Sequence, residues 1–197
     1  MAFLEKFTAS EQDRLTRLPY QAGAWISSQD DTGGAFADFK EKRALKNIIE
    51  DQSKGMFVSA FVHEVMSDLS LREGDWEKWD VSEKTVLEES AELPVLITEK
   101  LSEEQADAYI KSVMAISVAV AQAYREFDDN TSFAKALLIT MKLKIDRVFG
   151  ALSKQEYDSE RLLAVSHEED VALTKLYDTL RQGLKKDKET EMLLEET

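Results

Sequence analysis

Ser102 to Tyr124 reads SEEQADAYIKSVMAISVAVAQAY, and the spacing within it decides the fold class. Ala106, Tyr109, Ile110, Val113, Met114, Val120, Ala121 and Tyr124 recur on one side of a 3.6-residue period, which predicts a buried central α-helix. Ser102-x-x-Gln105 places a capping box at its start. Ser117 shares the apolar face, but a serine hydroxyl can bond back to the carbonyl one turn earlier, so the stripe is not broken.

The same period extends outward on both sides. Downstream, the acidic turn Glu126–Thr131 is followed by Phe133, Leu137, Leu138, Met141, Ile145, Val148 and Phe149, closed by Gly150. Capping boxes at Ser153-x-x-Glu156 and Ser166-x-x-Glu169 follow, the second preceding Val171, Leu173, Leu176, Tyr177, Leu180 and Leu184. Upstream, Thr8-x-x-Glu11 opens a helix in which Leu18, Ala22, Trp25 and Ile26 form a stripe, with a kink or restart expected at Pro19. SQDDTGG, residues 28–34, has turn chemistry, and Phe36, Phe39, Ala44, Leu45, Ile48 and Ile49 resume helical spacing up to Ser53-Lys54-Gly55. Phe57, Phe61, Val65 and Leu69 predict a further helix beginning near Met56. REGDWEKWD, residues 72–80, interrupts the pattern, and Ser82 is an N-cap for a helix that Pro94 should disturb in its later part.

These elements predict an all-α protein: a compact bundle of about seven to nine helices. One domain over 1–186 is expected, with a possible pseudo-repeat of 10–72 and 102–152 giving two related helical halves, and an acidic, fraying tail at 187–197. Seven Gly and two Pro in 197 residues suit long helices with short connections rather than a β-sandwich or barrel. A hydrophobic content of 43% is enough for a core.

Charge and composition exclude several function classes. With 25 Lys+Arg against 39 Asp+Glu the formal net charge is -14, so phosphate backbones and anionic membranes meet like charge. No nucleic acid and no direct membrane insertion are expected, and the favoured partner is a protein with a basic surface. Zero Cys removes disulfides, thiolate metal sites and cysteine nucleophiles. The beginning of the chain has no basic leader and apolar run, and no segment approaches 18 uninterrupted apolar residues, which predicts a cytoplasmic protein. A Gly-rich phosphate loop and a Gly-x-Ser-x-Gly elbow are both missing from the sequence.

The candidate metal ligands are Asp30, Asp31, Asp38 and Glu41. Hard cations such as Ca2+ or Mg2+ need several oxygen ligands converging on a tight turn, and this segment supplies carboxylates, the Thr32 hydroxyl and the Gly33-Gly34 carbonyls. It is not an EF-hand: counted from Asp30, Ala35 occupies the sixth position where Gly is required, and Thr32 and Gly34 are weak ligands. The competing reading is purely structural, with Asp and Gly making the turn and Asp38 and Glu41 favouring the positive end of the next helix. Glu126–Asn130 repeats the arrangement of helix, acidic turn and helix, and its better reading is an N-cap cluster at Asp129, Asn130 or Thr131 for the helix that follows. His63-Glu64 has no second His at a metalloprotease spacing, Glu-x-x-His occurs nowhere, and His167 reads as a first-turn surface residue. Trp76 and Trp79 are either an exposed anchor for a partner or a pair folded onto the core.

LTRLPYQAGAWISSQDDTGGAFADFKEKRALKNII, residues 15–49, resembles the tellurite-resistance TerB-like family in the order of its features: an apolar helix, an Asp and Gly turn, and an acidic residue early in the next helix. Asp31, Gly33 and Glu41 are the matching positions, with Asp30 and Asp38 as additional carboxylates. The stretch 113–149 is similar to the family's second half, yet Asp128-Asp129-Asn130 lacks the Gly and the following Glu. The long insertion at 74–101 is a further departure. The resemblance implies two related helical halves, a non-enzymatic role in metal or chemical stress, and acidic turns that bind metal ions. Beside this stand a helical interaction module with no metal site and a carboxylate-dependent metal hydrolase.

Overall fold

A computed structural model describes residues 2–29, 34–55, 58–122 and 167–195, with the side chains of 34–41, 122, 167 and 183–195 outside that description. The protein is all-α. Among the described residues there are six α-helices, α1 Ala9–Ser27, α2 Gly34–Ser53, α3 Ala60–Leu71, α4 Glu83–Lys100, α5 Glu103–Gln122 and α6 His167–Glu195, and two 3-10 segments, Leu4–Lys6 and Glu73–Lys78. The expected second acidic turn, 126–131, and the helix expected after it lie outside the described residues, and so does most of the second half of the expected pseudo-repeat.

Helix starts follow the local chemistry. The Thr8 hydroxyl accepts from the Glu11 amide while the Glu11 carboxylate accepts from the Thr8 amide at 2.7 Å, a complete capping box. Ser82 and Ser102 cap α4 and α5 through the amides of Thr85 and Gln105. α3 starts at Ala60 rather than near Met56, because Ser59 is extended at ψ 161° and its hydroxyl accepts from the Val62 amide. α2 closes on Gly55, whose φ of 78° only glycine adopts without strain.

Neither proline restarts a helix. α1 runs unbroken through Pro19 although a proline there cannot bond the Leu15 carbonyl. The phenol of Tyr109, reaching across from α5, donates to that carbonyl at 2.8 Å instead. One long-range bond thus satisfies both the group that Pro19 leaves open and a fully buried hydroxyl. α4 likewise continues through Pro94, which is buried between Leu93 and Ile97. The backbone of α6 is helical as far as Glu195, through the segment read as a fraying tail.

α5 is the centre. It packs against α1, α2, α3, α4 and α6. Every residue from Ser112 to Ala121 is buried, so its second half is enclosed all round and not along a single stripe. Ser117 bonds back to the Val113 carbonyl at 3.0 Å, and the Ser112 hydroxyl pairs with Gln52 of α2. Phe61 of α3 gathers the rings of Phe3, Phe7 and Tyr109 at centroid separations of 6.0, 6.1 and 6.2 Å. α6 is tied to its neighbours by Lys175 to Glu83 and by Arg181 to Asp107 at 2.9 Å.

Candidate functional site

α1 ends one turn short of the acidic segment. The Ser28 amide bonds the Ala24 and Trp25 carbonyls, and the Ser28 hydroxyl and Gln29 amide nitrogen cap the Trp25 carbonyl at 2.7 and 3.1 Å. Asp30 and Asp31 lie outside the described residues. Asp38 and Glu41 fall on the first two turns of α2, with side chains outside the description. Among the described residues no three His, Asp or Glu side chains gather in a way that could hold a metal ion.

His63 and Glu64 have separate tasks. The His63 ring is exposed and lies over the Gly55 turn. The Glu64 carboxylate accepts the Phe3 amide at 2.7 Å and the Leu4 amide at 3.0 Å, clamping the first turn of the chain onto α3. His167 opens α6 by its backbone.

The described residues do assemble an aromatic groove that the sequence only partly announced. Trp76 is buried and its indole N–H donates at 3.0 Å to the Leu69 carbonyl near the end of α3, which also accepts the Arg72 amide at 3.1 Å. It has folded onto the core, whereas Trp79 is half-buried. Tyr20 of α1 links the two, with its ring centroid 5.0 Å from Trp76 and 5.7 Å edge-on to Trp79. Ala24, Ser27, Lys42, Leu45, Glu77 and Val81 complete a groove of about 300 Å³.

Its walls are anchored from outside. Gln21, itself buried, donates to the Asp80 carbonyl at 2.6 Å and holds the loop after Trp79 against α1. Lys46 of α2 bonds Glu73 at 2.5 Å, and Arg72 bridges Asp13 and Asp68 at 2.8 and 2.7 Å. Asp80 is held below the usual carboxylate range by bonds from the Thr85 hydroxyl, then the Ser82 amide and hydroxyl. Burial, and secondarily the charge of Glu77, raise the Tyr20 phenol above its ordinary value and keep it neutral. Among the described residues Glu77 and Lys42, on opposite helical segments of the groove, form no ion pair.

The two tryptophans were visible as a break in helical periodicity. Glu77 lies in the same stretch, but Tyr20 and Lys42 carried no such signal, because the groove joins α1, α2 and the Glu73–Lys78 segment. Among the described residues no helix is long and apolar enough to cross a membrane. No family model, no curated protein and no solved structure matches the chain.

Proposed function

We propose that the protein acts by association, without catalytic turnover, and that a protein partner docks on the Tyr20, Trp76 and Trp79 groove. The observation that carries this reading is the pinned, half-open aromatic surface. Aromatic side chains concentrate binding energy when a partner desolvates them, and rigid walls lower the ordering cost of docking. A net charge of -14 favours a basic partner and makes the encounter sensitive to salt. The resemblance of residues 15–49 to TerB-like proteins supports a role in metal or chemical stress.

Affinity capture with the full chain as bait is the test. The same partner should be recovered at low salt, lost at high salt, lost from Trp79→Ala and retained by His63→Ala. Recovery that ignores Trp79, or turnover in a hydrolase screen that disappears on mutating Asp30 or Asp31, would overturn the reading.

The acidic segment supports a second reading, a Ca2+ or Mg2+ site formed by Asp30, Asp31, Asp38 and Glu41. Its support is the sequence: four carboxylates within twelve residues, beside the Gly33-Gly34 pair. Calorimetric titration should then show binding that Asp31→Asn and Glu41→Gln weaken and His63→Ala does not. A silent titration with both ions leaves the carboxylates as turn and cap residues.

A further inference from the structure

The geometry points to a single arginine of a protein segment as the group that the aromatic groove receives, its guanidinium lying on the Tyr20 and Trp79 rings beside the Glu77 carboxylate. This rests on the reading of the groove as a docking site and specifies what docks there.

Aromatic faces carry negative potential and attract cations, and the planar guanidinium also stacks on them. Tyr20 and Trp79 are the half-buried rings of the groove, so they keep surface that a docked group can cover. Trp76 is buried and backs Tyr20 from the core side. Of the acids on the segment, Glu73 is bound to Lys46, Asp75 to Lys78, and Asp80 to Ser82 and Thr85. Glu77 is the remaining carboxylate and lines the groove, close enough to Tyr20 for its charge to act on the phenol.

Two features narrow the occupant further. A groove of about 300 Å³ is at the lower limit for sites that enclose a free small molecule, and this one is open along one side. A side chain delivered by a larger surface fits it better than a free metabolite. Lys42 lines the same groove and repels a second cation. The favoured segment is therefore one arginine followed by neutral or acidic residues, rather than a polybasic run.

The experiment is fluorescence anisotropy of labelled eight-residue alanine-serine peptides with a central arginine, lysine or citrulline, titrated with the full chain. Citrulline keeps the planar shape and removes the charge. The arginine peptide should bind roughly fivefold more tightly than the citrulline peptide and more tightly than the lysine peptide. Glu77→Gln, an exposed change that leaves the fold alone, should lower arginine affinity several-fold, as should Trp79→Leu, which keeps apolar volume and removes the ring. Lys42→Gln should improve binding of an Arg-Arg peptide more than of the single-arginine peptide. Equal affinity for arginine and citrulline, an arginine affinity indifferent to Glu77, or no saturation below about 5 mM would overturn the assignment. If partner capture nonetheless depends on Trp79, the groove remains a docking site and only the arginine assignment falls.

Discussion

At Gly23 the absent side chain is what matters. A Cβ placed there would stand 2.7 Å from Leu45 Cδ1 and 3.0 Å from Ile116 Cγ2, so α1 approaches α2 and α5 at this point as closely as a hydrogen atom allows. Helix propensity alone favours alanine over glycine by about 1 kcal/mol. Overpacking a filled core costs about 1–3 kcal/mol, and it should prevail here because Leu45 and Ile116 are both buried and have little room to retreat. Melting temperatures should fall in the order Gly, Ala, Val at this position, the reverse of an exposed helical site for the first pair. An alanine variant that melts above the parent would mean that the three helices can part without cost. In the sequence Gly23 reads only as a weak residue inside an apolar stripe, since the side chains that close on it come from two other helices.

Within α1 and α5 the coupled element is Pro19, the Leu15 carbonyl and Tyr109. Burial pushes the Tyr109 phenol well above its ordinary pKa, so it stays a neutral donor. Tyr109→Phe leaves the carbonyl and its helix turn without that donor, and should cost about 1–3 kcal/mol by denaturant unfolding. Pro19→Ala returns a backbone N–H to the same carbonyl. In that background Tyr109→Phe should cost less, with a coupling of about 1 kcal/mol in the double-mutant cycle. Equal costs in the two backgrounds would show that the carbonyl does not depend on the phenol. Pro19 by itself signals a helix boundary; the donor that makes it tolerable comes from α5, far along the chain.

For the molecule as a whole, Lys100 joins the end of α4 to the beginning of α1. Its ammonium bonds the Glu11 carboxylate at 2.6 Å. That bond, followed by the Thr8 amide, holds Glu11 below the ordinary glutamate range. A carboxylate depressed in the folded state contributes stability above its unfolded pKa and loses it as pH falls through the folded value. The parent should therefore exceed Glu11→Gln in melting temperature at neutral pH, and the gap should close as pH falls through and below the ordinary glutamate range. Acidification also relaxes the self-repulsion of a chain with net charge -14, an opposite trend that both proteins share, so the difference between them isolates the Glu11 carboxylate with its Lys100 and Thr8 partners. A gap that is constant with pH would remove Lys100 as the cause.

The sequence by itself determined the all-α class, the central position of α5 and the caps at Thr8, Ser82 and Ser102. Each is a local property: helical period and capping chemistry act between residues three or four apart and need no knowledge of the rest of the chain. It also marked four carboxylates around one turn and two tryptophans outside a helical stripe, which are candidates by residue type. Tertiary structure alone decided that Pro19 leaves α1 intact, that Glu64 clamps the first residues of the chain, and that Trp76 turns inward while Trp79 meets Tyr20. Those outcomes depend on which carbonyls, rings and charges the packing brings together from separate helices. Satisfying a buried polar group or filling a space is a requirement of the assembled core, and several sequence-distant residues could have met it.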